Sequence, residues 1–157
     1  MQSVSLRRPR ALLVDDDPFV RHVLSALLDE HGVECVHAVD GRDALRLLAE
    51  ELLSLDLLVT DLEMPNLRGD ALLMAVRELG GERDLPILVA SGHVDAEHTE
   101  ALRVAGADVV IDKAYGLLAV VTAARALLEA RGHFRPCEPP ADTAPVARIG
   151  LTRRRGR

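Results

Sequence analysis

Five short apolar runs alternate along the chain with five stretches whose apolar residues recur at helical spacing. The runs are 11–14, 33–36, 55–60, 85–90 and 109–111. They are apolar almost throughout rather than at every second position, which is how strands buried on both faces of a parallel sheet read. Between them the period changes. Val20, Val23, Leu24, Leu27 and Leu28 define one face of a first helix, with Asp17 placed to cap it, Pro18 suited to its first turn and Gly32 just past its end. A second helix is predicted over 42–51, a third over 70–79 closed by Gly80-Gly81, a fourth over 96–105 stopped by Gly106, and a fifth over 117–130. Strand and helix in strict alternation with short loops predict right-handed crossovers, hence a doubly wound parallel α/β sheet with helices on both faces.

In such a sheet, ligands bind beyond the carboxyl ends of the strands. The first run ends in Asp15-Asp16-Asp17, the third in Thr60-Asp61, the fourth in Ser91-Gly92 and the fifth in Asp112-Lys113. The second ends in Ala38-Val39-Asp40, which with Gly41 reads as a plain turn. Four strands therefore deliver charged or hydroxyl groups to one edge. Clustered carboxylates repel one another unless a proton or cation intervenes. A small hard cation such as Mg²⁺ takes one or two carboxylates together with phosphate oxygens. A carboxylate is also a usable nucleophile towards phosphorus, and the group transferred needs a cation and hydrogen-bond donors around it. Lys113 offers a compact positive charge and Ser91 a hydroxyl. Lys113 is the only lysine in the chain, all eighteen other cations being arginine.

Composition narrows the picture. The 157 residues suffice for one domain with a real core. Phe19, Tyr115 and Phe134 are the only aromatics, so the core must be aliphatic. The formal net charge is −6; residues 1–10 carry +3 and residues 132–157 carry +4, which leaves −13 on residues 11–131. An acidic body argues against a duplex-binding surface. No apolar run approaches the roughly 20 residues of a membrane span, and the arginines of residues 1–10 precede no signal-like apolar segment. Two cysteines, Cys35 and Cys137, do not make a disulfide framework, and a cytoplasmic location is expected. No spacing among the six histidines suggests zinc. Residues 1–9 read as a disordered arm, 10–131 as the folded domain, and 132–157, with four prolines and six arginines, as a disordered tail.

Leu12-Leu13-Val14-Asp15-Asp16-Asp17-Pro18, then Asp61-Leu62-Glu63-Met64-Pro65-Asn66-Leu67-Arg68-Gly69, then Val89-Ala90-Ser91-Gly92, then Gly106-Ala107-Asp108 and finally Lys113 together resemble the CheY-like receiver domain of two-component response regulators, in order and spacing. The resemblance implies a flavodoxin-like (βα)5 sheet of order 2-1-3-4-5. It implies that Asp61 accepts a phosphoryl group from a phosphohistidine on a sensor histidine kinase or phosphotransfer protein. Asp15 and Asp16 match the acidic pair, Asp16 as the direct Mg²⁺ ligand. Asp61 and the backbone carbonyl of Glu63 complete the metal set. Ser91 matches the switch hydroxyl and Lys113 the phosphate-pairing cation. Glu63 and His93 match positions flanking the attacking water. The implied protein is no enzyme beyond its own phosphorylation and dephosphorylation. With no DNA-binding pattern after residue 131, it is expected to act as a single-domain switch on a downstream protein, as a homodimer through the face of the fourth helix, fifth strand and fifth helix, or as a phosphoryl relay. Two positions depart from the family. Ala114 stands where proline usually follows the lysine, and Val110 stands where the switch aromatic is usual.

Two other readings remain open at this point. Asp15-x-Asp17 resembles the nucleophile motif of haloacid-dehalogenase-type phosphohydrolases, with Asp15 as nucleophile. A receiver-like binding module that is never phosphorylated would keep the fold without the chemistry.

Overall fold

The computed structural model describes residues 7–81 and 84–133. The elements follow as β1 (Arg10–Val14), α1 (Pro18–Glu30), β2 (Glu34–Ala38), α2 (Gly41–Glu51), β3 (Leu57–Thr60), α3 (Gly69–Gly80), β4 (Ile87–Ser91), α4 (Ala96–Ala105), β5 (Val109–Asp112) and α5 (Leu117–Ala130), with 3₁₀ turns at Leu52–Ser54 and Lys113–Tyr115. The strands form one parallel sheet of order β2-β1-β3-β4-β5. This is the doubly wound, flavodoxin-like α/β fold that the alternation predicts.

Each central strand is buried on both faces because successive side chains alternate between two cores. Ala11, Leu13, Leu57, Val59, Leu88 and Ala90 meet α1 and α5. Leu12, Val14, Leu58, Ile87 and Val89 meet α2, α3 and α4. The edge strands differ: in β2 Glu34 and His37 are exposed, and β5 is half-buried throughout.

Three apolar runs begin before their strands, for separate backbone reasons. Val33 is fully buried but its amide turns back to the Leu28 carbonyl at 3.0 Å, so it closes α1 behind Gly32 (φ 80°) rather than starting β2. Leu55 follows the 3₁₀ turn and β3 starts at Leu57. Leu85 and Pro86 precede β4, and the Pro86 carbonyl accepts from the Leu58 amide at 2.9 Å.

Helix starts follow the aspartates. Asp17 accepts from the Phe19 and Val20 amides and Asp95 from that of His98. Asp40, read from sequence as a plain turn residue, also caps α2 by accepting from the Asp43 amide at 2.8 Å, and it takes the side-chain amide of Asn66 at 2.6 Å. At the amino edge of the sheet, buried Asp56 receives both guanidinium nitrogens of Arg7 at 2.9 Å and the Arg10 amide at 2.9 Å. The arm expected over 1–9 is thus anchored from Arg7 onward, and the tail expected over 132–157 lies outside the described residues beyond His133. Burial pushes the Cys35 thiol up to about 11, so it stays protonated at neutral pH, while Cys137 lies outside the described residues.

The loop from Asp61 to Arg68 is held between two helix starts. A Cβ on Gly69 would lie 2.3 Å from the Asp61 carbonyl oxygen, and one on Gly41 would lie 2.5 Å from that of Leu67. Both neighbours are backbone and cannot yield as a flexible side chain does. Gly69→Ala should therefore lower the free energy of unfolding by about 1–3 kcal/mol, read by urea denaturation. Gly92→Ala, where a Cβ meets nothing within 4 Å, serves as the comparison. Equal stability of the two variants would contradict this account of the loop.

Candidate functional site

Val14 pairs with Thr60 in register, so the residues that follow, Asp15 and Asp61, leave their strands side by side. The Asp61 amide still donates to the Val14 carbonyl at 2.9 Å, and the Thr60 hydroxyl caps the Asp61 carbonyl at 2.9 Å. One oxygen of the Asp61 carboxylate, Oδ1, accepts from the Leu62 amide at 2.6 Å and the Glu63 amide at 3.3 Å. Its other oxygen accepts from Lys113 Nζ at 2.9 Å. The same ammonium donates to Asp15 Oδ2 at 2.6 Å. Asp15 Oδ1 accepts from the Asp17 amide at 2.9 Å, and the Asp15 carbonyl accepts from the Arg21 guanidinium. A lysine from the far end of the sheet thus ties together two carboxylates that are distant from it in sequence.

Electrostatics at this cluster do not balance. Asp15 is only 5% exposed. Burial raises its pKa; the Lys113 ammonium and the Asp17 amide pull it back, and the negative charge of Asp61 adds to the rise. Burial by itself would lower the Lys113 pKa, but the hydrogen bonds and charges of Asp15 and Asp61 outweigh it and the net shift is upward. Asp16 adds a third carboxylate, exposed at the surface. One oxygen each from Asp15, Asp16 and Asp61 lie within 4.8 Å of one another, the single group of metal-competent side chains among the described residues. Three carboxylates against one ammonium leave excess negative charge, and an all-oxygen donor set of this kind suits a hard divalent cation. Glu63, whose backbone carbonyl the resemblance assigns to the metal, engages the cluster here through its amide, which donates to Asp61 Oδ1.

Ser91 is placed differently. It is buried at the end of β4, opposite Asp112 in register, and lines an adjoining open cleft of about 550 Å³ with Glu63, His93 and Asp112. Lys113 bonds Asp15 and Asp61, and Ser91 stands outside that bonded group. Asp17 is engaged at the start of α1 and Val110 is half-buried against the core shared with α3 and α4. Two contributors went unassigned in the sequence. Arg21 acts on a backbone carbonyl, which no side-chain pattern announces. Asp112 stands in the strand-end pair with Lys113, yet its role is local: its carboxylate accepts from the Ala114 amide at 2.8 Å. The peptide bond before Ala114 is trans.

Known proteins are similar to this chain in sequence and in fold. The sequence profile of the response regulator receiver domain matches residues 11–125. The chain is 37% identical over 124 residues to the transcriptional regulatory protein PrrA of Mycobacterium tuberculosis, covering 79% of this chain and 52% of PrrA. It is 38% identical over 119 residues to the response regulator MprA of Mycolicibacterium vanbaalenii, covering 76% of this chain and 50% of MprA. It thus spans about half the length of these curated relatives. It is also 33% identical over 102 residues to the sensor histidine kinase RcsC of Escherichia coli, covering 65% of this chain and 10% of RcsC. Among solved structures, the chemotaxis protein CheY4 of Vibrio cholerae superposes with a TM-score of 0.70 at 26% identity, covering 76% of this chain and 98% of that one. The receiver domain of the Francisella response regulator 1452 does so at 0.72 and 24% identity, covering 78% and 98%. Profile, relatives and fold agree, and the chain belongs to the response regulator receiver domain family.

Proposed function

We propose that the chain is a phosphorylation-operated signalling switch that accepts a phosphoryl group on Asp61. The observation that carries this reading is the Lys113 ammonium within hydrogen-bond distance of both Asp61 and Asp15. An Asp61 oxygen attacks phosphorus, the bond from phosphorus to the donor breaks, and an acyl phosphate results. With a phosphohistidine donor, on a sensor kinase or phosphotransfer protein, the bond broken is P–N and imidazole leaves. Lys113, freed from part of its bond to Asp61, pairs with the incoming phosphoryl oxygens. The Leu62 and Glu63 amides hold the nucleophilic carboxylate in orientation. Ser91 donates its hydroxyl to a phosphoryl oxygen after the loop that follows β4 moves. Asp15, Asp16, Asp61 and the Glu63 carbonyl would hold Mg²⁺, which supplies the charge neutralisation that lets the anionic donor approach three carboxylates. The only reactions catalysed are the chain's own phosphorylation and dephosphorylation, in the cytoplasm where kinases draw on ATP.

The readout passes through a protein surface. With Val110 in place of an aromatic there is no ring to swing, so movement of the Ser91 loop is felt mainly along α4 and β5. A downstream protein, or a second copy docking through α4, β5 and α5, reads that change. Direct DNA binding by this domain is not proposed. Among the described residues no helix is long and apolar enough to cross a membrane.

Phosphohydrolase chemistry at Asp15 is the weaker reading. Asp15 is only 5% exposed, and Asp17, the second acid of that motif, is consumed as the cap of α1.

Mg²⁺ at tenfold over its Kd should stabilise the wild type by about 1.4 kcal/mol through binding linkage. Asp16→Asn should be slightly more stable than wild type in EDTA, because a like charge is removed, yet should gain little from Mg²⁺. Urea unfolding with and without the metal measures both, and an equal Mg²⁺ response in the variant contradicts the metal assignment. Incubation with Mg²⁺ and acetyl phosphate should add one phosphoryl group, located at Asp61 by mass spectrometry. Asp61→Asn should abolish it. An adduct at Asp15 would favour the phosphohydrolase reading, and no adduct would leave a phosphorylation-independent module.

A further inference from the structure

Lys113 lies between the end of β5 at Asp112 and a single 3₁₀ turn that it begins. Its neighbours constrain it further. Asp112 Oδ1 accepts from the Ala114 amide at 2.8 Å, a side-chain-to-backbone turn that encloses Lys113. On the other side the Lys113 carbonyl accepts from the Gly116 amide at 2.9 Å, with Gly116 at φ 90°. The ammonium at the end of this constrained residue makes both long-range bonds of the site.

Asp112 is an unexpected residue to find there. It is an acid half-buried beside the cleft that Ser91, Glu63 and His93 line, in a region already rich in negative charge. Through its charge it opposes the approach of an anionic phosphodonor. Its geometric contribution has the opposite sign. We propose that Asp112 is a positioning residue: its carboxylate closes the turn around Lys113 and so sets the reach of that ammonium to Asp15 and Asp61. The proposal deepens the phosphotransfer reading and rests on it for its functional consequence, while the positioning itself can be read without phosphorylation.

The side-chain length of residue 112 separates geometry from charge. Asparagine keeps an oxygen at the same distance from the backbone and closes the same turn without charge. Glutamate keeps the charge but is one methylene too long to close it. Lys113 is the only lysine in the chain, so reductive methylation with formaldehyde and a borane reports on it alone, with the chain's amino terminus as internal reference. Held between two carboxylates, Lys113 should react slowly in the wild type and in Asp112→Asn. It should react several-fold faster in Asp112→Glu and Asp112→Ala. Labelling of Asp61 by acetyl phosphate should follow the inverse order. Loss of positioning should slow it about tenfold in the Glu and Ala variants, and Asn should be at least as fast as wild type. A merely structural role would move thermal stability but would not pair Asn with wild type and Glu with Ala in both readouts. Equal methylation rates in all four proteins, or pairing of Asn with Ala, overturns the proposal. If the wild type takes no phosphate at Asp61 the phosphotransfer reading fails, and the methylation order still decides whether Asp112 positions Lys113.

Discussion

The ammonium of Lys113 stands between the carboxylates of Asp15 and Asp61, 2.6 and 2.9 Å from their oxygens. Much of the remaining structure serves to bring these three groups together and keep them there. Placing two carboxylates side by side in a largely buried setting is unfavourable unless a cation shares them. The cation comes from a different strand, so the pairing is available only once β1, β3, β4 and β5 lie in their parallel order. The fold and the charge cluster therefore depend on one another. Apolar burial on both faces of the sheet provides the free energy of folding, and the cluster converts part of it into a poised, electron-rich edge.

Backbone detail carries the remainder of the arrangement. The in-register pair Val14 and Thr60 aligns the two acids, and amides of Leu62 and Glu63 orient Asp61. The start of α3 lies so close to the Asp61 carbonyl that only glycine fits at position 69. Asn66, with φ 68°, reaches across to the cap of α2 and braces the same loop from outside. A change of charge at Asp61 is thus felt through a short, tightly held segment rather than absorbed by a slack one. Lys113, in contrast, sits in a single turn held from each side by one hydrogen bond.

Much of this was legible in the sequence because two physical signals are strong. Strands buried on both faces must be apolar at every position, and polar residues at their carboxyl ends then stand out; Asp15, Asp61, Ser91 and Lys113 were found that way. What escaped was what depends on the backbone. Val33, Leu55 and Leu85 are as apolar as true strand residues, and hydrogen bonding alone assigns them to a cap, a turn exit and a strand approach. Asp40 and Asp112 look like ordinary turn acids, and their value lies in which amide each accepts from. Ser91, read from the sequence with the same strand-end group, lines the neighbouring cleft instead.

The central claim is that Asp61, Lys113 and the Asp15–Asp16 pair form one site for a tetrahedral phosphoryl group beside a divalent cation. Fluoroberyllate mimics that group, and its ¹⁹F resonances report directly on what surrounds it. Titration of the wild type should give bound signals in slow exchange, with fluorines made inequivalent by a lysine on one side and metal on the other. These signals should require Mg²⁺ and vanish in Asp61→Ala. Bound resonances that persist without Mg²⁺ or in that variant, or their absence from the wild type at saturating ligand, would contradict the account.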